Sequence, residues 1–207
     1  MVEIKTALIS VSDKTGLDKL VKTLDKYNVK IISSGGTAQK IRELGHKEVT
    51  DVSDYTGFPE SPGGYVKTLH PKIHGGLLLN EKNPDHLKFM EENGIEPIDM
   101  VVVNLYPFKE TISQSGVTVE QARGNIDIGG PCMIRAAAKN FIRVASVVDP
   151  SDYETIVSEM RANNGSISLE LRFKLAQKAF DHTAVYDRTI ADFLANKSVA
   201  EVKGCYR

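Results

Sequence analysis

Twice within its first fifty residues the chain runs from apolar strand to polar turn to amphipathic helix, and this repeat restricts the possible folds more than any other feature. IKTALISV at residues 4–11 is short, apolar and rich in β-branched residues, and SDKTG follows it as a turn. Leu17, Leu20, Val21 and Leu24 then recur at i, i+3, i+4 and i+7, the spacing of one apolar helix face. VKIIS at 29–33 repeats the strand, SGGT the turn, and a helix through Ile41 and Leu44 stops at Gly45. Such units in series build a parallel sheet with helices on both faces. IDMVVVNLYPF at 98–108 and RVASVVD at 143–149 predict two further buried strands, with a helix over 84–94 preceding the first of them. From Pro150 the pattern changes. Residues 151–163 and 168–194 read as helices, the second carrying Leu169, Phe173, Ala176 and Phe180 along one stripe. The expected organisation is an α/β unit over 1–149 and a helical extension over 150–207.

Composition narrows the function. The 26 lysines and arginines are balanced by 27 aspartates and glutamates, a net charge of -1, so no general field attracts nucleic acid or an anionic membrane. An anionic ligand must therefore be held by a local pocket. Cys132 and Cys205 form no C-x-x-C pair, which fits a reducing cytoplasm. The apolar run at the start is too short for a signal peptide and no segment approaches a membrane span. The expectation is a soluble cytoplasmic protein.

In an open parallel sheet, ligands bind where the loops gather at the carboxyl ends of the strands. SVSDKTG, with Ser12 and Lys14, follows the first strand; SSGGT, with Ser34, Gly35, Gly36 and Thr37, follows the second. Each places hydroxyls and free amides at a helix N-terminus, where the dipole favours an anion. Taken singly, each is explained by helix capping alone. The anion reading gains from a third stretch, GGYVKTLHPKIHGG at 63–76, in which Lys67 and Thr68 sit among glycines. His70 and His74 have the i, i+4 spacing of some zinc sites, but Pro71 pushes His70 out of helical geometry and no further ligands are spaced around them. No metal is expected.

The other informative stretch is GNIDIGGPCMIRAAAKN, residues 124–140. Pro131 suits the first turn of a helix, in which Arg135 and Lys139 would share a face. These cations read either as a solvated surface or as partners of a carboxylate such as Asp127. Tyr106 lies just past a buried strand and reads equally as packing or as a functional phenol.

SVSDKTGL, SSGGTAQKIRELG, TGFPE, VKTLHPKIHGG, VVVNLYPF, NIDIGGPCMIRAAAKN and KAFDHTAVYD, in that order over nearly the whole chain, resemble the inosine monophosphate (IMP) cyclohydrolase domain, the amino-terminal half of a bifunctional enzyme of purine biosynthesis. The resemblance implies a methylglyoxal-synthase-like three-layer α/β/α sandwich, a homodimer, and no metal or organic cofactor. It also implies ring closure of 5-formamidoimidazole-4-carboxamide ribotide to IMP with loss of water. Residue by residue it implies Lys67, Tyr106, Asp127 and Lys139 in catalysis. Ser12, Lys14, Ser34, Gly35, Gly36, Thr37, Thr68, Ile128 and Gly129 would bind the ribotide and its phosphate. Three features depart from the family: Tyr65 stands where an arginine is usual, with Arg42 as a candidate substitute cation, Ser61-Pro62 stand where a bulkier pair is common, and no second catalytic half follows. The chain is accordingly expected to be a stand-alone cyclohydrolase or an excised domain. Rival readings are a regulatory module that binds a nucleotide without chemistry, and methylglyoxal synthase.

Overall fold

A computed structural model describes residues 1–206. The strands are β1 (Val2–Glu3), β2 (Thr6–Val11), β3 (Lys30–Ser33), β4 (Val49–Asp51), β5 (Met100–Asn104), β6 (Ala145–Val147) and β7 (Ser166–Ile167). The α-helices are α1 (Leu17–Lys26), α2 (Gly35–Glu43), α3 (Val52–Thr56), α4 (Pro71–Leu78), α5 (Pro84–Glu92), α6 (Phe108–Ser113), α7 (Val119–Gly124), α8 (Gly129–Lys139), α9 (Tyr153–Ala162), α10 (Leu169–Ala195) and α11 (Val199–Val202). Five strands form one wholly parallel sheet in the order β4-β3-β2-β5-β6. The order steps outward from β2 on one side and from β5 on the other, so the loops after β2 and β5 meet at the point where the winding reverses.

The alternation of side chains along each strand divides the core. Ala7, Ile9, Val11, Ile31, Met100, Val102, Ala145 and Val147 belong to one buried cluster with Leu17, Leu20 and Leu24 of α1. Leu8, Ile32, Val101 and Val103 belong to a second, with Ile73 and Leu77 of α4 and Met133, Ile134 and Ala137 of α8. Helices cover both faces, as the repeat requires. Truncating a core residue such as Leu8 to alanine costs about 2–5 kcal/mol in a site this closely packed.

The four expected strands and the helices over 84–94, 151–163 and 168–194 are present within a few residues. Three features differ. The edge strand β4 is too short to show a pattern. The second half of the 63–76 stretch is helix α4, begun by Pro71 and capped by His70, whose Nδ1 accepts from the Lys72 N–H at 3.1 Å. The extension is also woven into the sandwich. Ile156, Val157, Met160 and Ile167 complete the first core cluster and Ala176 and Ala179 the second, while β7 pairs antiparallel with β1. Residue 149 thus marks a change of secondary structure within a shared core. The apolar stripe of α10 divides: Ala176 is buried, whereas Leu169, Phe173 and Phe180 are 40–48% exposed.

Candidate active site

The site begins with the loop after β2. Asn104, the last residue of β5, accepts through Oδ1 from the N–H of Ser12 (2.6 Å), the Ser12 hydroxyl (2.8 Å) and the Asp13 N–H (3.0 Å), and its amide donates to the Asp13 carbonyl (2.9 Å). One side chain therefore fixes the loop that carries Lys14. The Lys14 ammonium folds over the Val11 and Ser12 carbonyls at 3.4 and 3.5 Å. Among the described residues it has no carboxylate partner.

Beside this loop, α2 presents its N-terminus. Gly35 and Gly36 are exposed, and the Ser34 side chain makes no capping bond. Thr37 behaves differently from expectation. Its hydroxyl is buried and exchanges hydrogen bonds with Val11, accepting from its N–H at 3.2 Å and donating to its carbonyl at 3.0 Å. This side chain ties α2 to β2 and is withdrawn from any ligand, leaving backbone amides as the local anion donors.

Lys67 reaches the same place from the segment before α4. Its ammonium lies 2.5 Å from a Glu60 carboxylate oxygen, and a methyl group built on Gly35 would sit 3.9 Å from it. Ser34, Gly35, Asp51, Ser53, Glu60 and Lys67 line one small recess. Thr68, buried, points instead at α8: a methyl group on Gly129 would stand 2.5 Å from its hydroxyl. Its backbone in turn engages His74, whose imidazole is held below the ordinary histidine range by burial, with the Thr68 bond opposing.

Asp127 completes the group. Its Oδ1 accepts from the Gly130 N–H at 2.8 Å, and the nearby Tyr106 N–H adds a weaker pull toward the ionised form. A methyl group on Gly130 would come within 2.5 Å of Oδ2 and 2.6 Å of Leu105. Gly129 and Gly130 are thus required by close approach, one to Thr68 and the other to Asp127. Burial raises the Asp127 pKa above the usual carboxylate value, the two N–H groups opposing it. No cation lies within ion-pair distance of it among the described residues. A half-buried, unpaired carboxylate with a raised pKa is equipped to orient an N–H group or take its proton.

The Tyr106 side chain and Ile128 are exposed at the same edge. Tyr106, Ser12 and Asn104 border a cavity of about 510 Å³ that extends to His182 and Tyr186 of α10. Tyr186 also touches the site directly, accepting from the Asp127 N–H at 2.8 Å. Asn104, Glu60 and Tyr186 are the contributors that sequence reasoning missed. Asn104 was detectable as the polar residue that ends an apolar strand, but nothing local to Tyr186, although it lies in the quoted KAFDHTAVYD, points to Asp127.

The structure does not bring Lys139 to this group. It is the last residue of α8, exposed, and separated from the Asp127 end by the helix length, roughly 15 Å at the usual rise. Arg135 shares its exposed face as expected, but its partner is an aromatic ring: the guanidinium stands 5.5 Å from the centroid of Phe180. Neither cation partners Asp127. Arg42 lies in the last turn of α2, away from the Gly35 end, and is engaged by Asp51, so it does not replace a cation at Tyr65. Among the described residues no cluster of three or more histidine, cysteine, aspartate or glutamate side chains is placed to hold a metal ion, and no helix is long and apolar enough to cross a membrane.

Comparison with known proteins bears on this arrangement. The MGS-like domain model matches residues 16–132 and the AICARFT/IMPCHase bienzyme model residues 137–206. The bifunctional purine biosynthesis protein PurH of Neisseria meningitidis is 54% identical over 198 residues, which are 96% of this chain and 37% of that protein. The Persephonella marina protein of the same name is 55% identical over 193 residues, 93% of this chain and 37% of that one. The chain thus spans little more than a third of the length of these relatives. The crystal structure of ForH superposes with a TM-score of 0.78 at 34% identity, covering 92% of this chain and 99% of that one. The chain therefore belongs to the MGS-like domain family, in the group whose sequence continues as that of the AICARFT/IMPCHase bienzyme.

Proposed function

We propose that the chain is an IMP cyclohydrolase, closing 5-formamidoimidazole-4-carboxamide ribotide to IMP. The observation that carries this reading is the convergence on one sheet edge of the uncapped N-terminus of α2, Lys14 without a carboxylate partner, Lys67 held by Glu60, and an unpaired carboxylate of raised pKa. In this reading the Gly35 and Gly36 amides, Ser34 and Lys14 hold the 5′-phosphate, Ser12 borders it, and Thr68, Ile128 and Gly129 flank the base. The carboxamide nitrogen attacks the formyl carbon. Asp127 orients that nitrogen and accepts its proton, while Lys67 and Tyr106 donate hydrogen bonds to the formyl oxygen as it gains charge. A new C–N bond forms; the formamido nitrogen then gives up its proton as the C=N bond forms and the C–O bond breaks, so the former formyl oxygen leaves as water with one proton from each nitrogen and the pyrimidine ring becomes conjugated. The reaction is intramolecular, so holding the two groups in contact supplies much of the rate.

The same reading places the protein in the cytoplasm as a homodimer, supported by two free cysteines and the exposed Leu169, Phe173 and Phe180. A part for Lys139 in turnover would have to be played in the site of a second copy, given its distance from Asp127 within one chain.

Mixing the protein with the formamido ribotide and following ultraviolet absorbance tests the proposal, because purine formation changes the chromophore. A progressive change to the IMP spectrum is expected. A static spectrum from protein that binds the nucleotide would instead identify a regulatory module.

A further inference from the structure

The segment KAFDHTAVYD, residues 178–187, lies on the helical extension, outside the stretch matched by the MGS-like domain model, and the proposed chemistry leaves it without a part. Its tyrosine is nevertheless bonded to the residue on which that chemistry depends. Asp127 sits in the connection between α7 and α8. Most hydrogen bonds there are local: the Asn125 N–H donates to Ala122, the Ile126 N–H to Arg123, and the Gly130 N–H to Asp127 itself. The Asp127 N–H instead donates across 59 residues of sequence to the Tyr186 hydroxyl, at 2.8 Å.

Tyr186 is well fixed for such a task. Its ring meets the buried Phe108 edge-on with centroids 6.2 Å apart, and Phe108 is met on another side by Phe193 at 5.8 Å. Both aromatic partners from the extension belong to α10, a 27-residue helix whose Ala176, Ala179 and Thr183 are buried against the sandwich. The hydroxyl is therefore carried by a rigid element and aimed at a connection that has few restraints of its own.

We infer that Tyr186 is a positioning residue for Asp127, its hydroxyl pinning the connection so that the carboxylate stays on the Gly130 N–H. The helical extension thereby forms part of the site's scaffold. Without the hydroxyl, the half-buried Asp127 N–H loses its acceptor and the connection must turn to find another. A displacement of about 1 Å at a reacting group costs up to about 100-fold in rate. The kinetic half of this inference rests on the cyclohydrolase reading; the positional half does not.

Tyr186→Phe removes the hydroxyl and keeps the ring. Hydrogen exchange measured by mass spectrometry on the intact chain should show the Asn125–Gly130 segment exchanging at least about tenfold faster, with α8 and the melting temperature little changed. Unchanged exchange in that segment would overturn the inference, whatever the protein catalyses. In ring closure, kcat should fall about 10- to 100-fold while KM for the ribotide moves less than about twofold, because the phosphate is held elsewhere. A loss confined to KM, or none, would also overturn it. Tyr186→Phe combined with Asp127→Asn should be no slower than Asp127→Asn alone; additive losses would mean that Tyr186 acts by another route. A wild-type chain with no ring closure would refute the cyclohydrolase reading, and exchange would still decide the positional claim.

Discussion

The two ends of the parallel sheet treat buried charge in opposite ways. At the amino ends of the strands, Asp99 accepts from the N–H groups of Lys5 and Thr6 at 2.9 and 3.0 Å and from the Arg143 guanidinium at 3.2 Å. Arg143 in turn donates to the carbonyls of Gly76, Leu77 and Ile98. The pair bridges the starts of β2, β5 and β6 with most of its bonding capacity used. At the carboxyl ends, Lys67 is paired with Glu60, but Asp127 has the Gly130 N–H and no cation, Lys14 has no carboxylate, and the Ser34 hydroxyl caps nothing. Burial raises the pKa of both aspartates, opposed at Asp99 by the Lys5 and Thr6 N–H groups and then by Arg143. A raised pKa alone does not separate the structural edge from the functional one. Pairing does: charge satisfied within the fold holds strands together, and charge left unsatisfied is available to a ligand.

The comparison breaks most visibly at Asp127. Asp127→Asn preserves an oxygen for the Gly130 N–H and removes the base, so turnover should fall by about 10²–10⁴-fold with the fold retained. A loss below tenfold, measured on protein of normal melting temperature, would return Asp127 to the structural class. At the opposite edge, Arg143→Ala leaves Asp99 buried without its cation and should cost about 3–5 kcal/mol in chemical denaturation. Turnover per folded molecule should stay within about twofold. Catalytic collapse in folded Arg143→Ala would mean that the two edges are not independent.

A smaller effect sharpens the ligand side. Lys14→Ala should weaken ribotide binding several-fold at low ionic strength, with the difference shrinking as salt is added, because an exposed ammonium acting on a phosphate is screened. Equal affinities at every salt concentration would remove Lys14 from the phosphate site.

The strand–turn–helix repeat made the sheet legible because each buried strand was both apolar and bounded by a turn. It also placed the loops after β2 and β3 at one edge, and with them Ser12, Lys14, Ser34, Gly35 and Gly36. Thr37 was misread because a hydroxyl at a helix start looks the same in sequence whether it faces a ligand or, as here, the Val11 backbone. Lys139 stands apart from Asp127 within one chain for a geometric reason. Sharing a face with Arg135 follows from helical spacing, but distance along the axis separates that face from the glycines at the other end. Asn104 and Tyr186 were missed because their partners, Ser12 and Asp127, are 92 and 59 residues away. Local pattern carries no information about such pairs.

The last and smallest expected effect concerns stability, and it separates the two aspartates by sign. A carboxyl whose pKa is raised on folding adds stability below its unfolded value, near 3.9, and that contribution is lost as pH rises through the folded value. At Asp127 the ionised form has no cation to offset its burial. Neutral Asp127→Asn should therefore melt no lower than the parent at pH 7–8, and its advantage should shrink as pH falls and the parent protonates. Asp99 has the same direction of shift but faces Arg143 at 3.2 Å, so Asp99→Asn strands a buried guanidinium and should melt lower at neutral pH. Melting curves of both variants across pH 4–8 check the pair together. Two substitutions that destabilise equally at pH 7 would show that Asp127 is as well satisfied within the fold as Asp99, and the distinction between the edges would fail where it matters most.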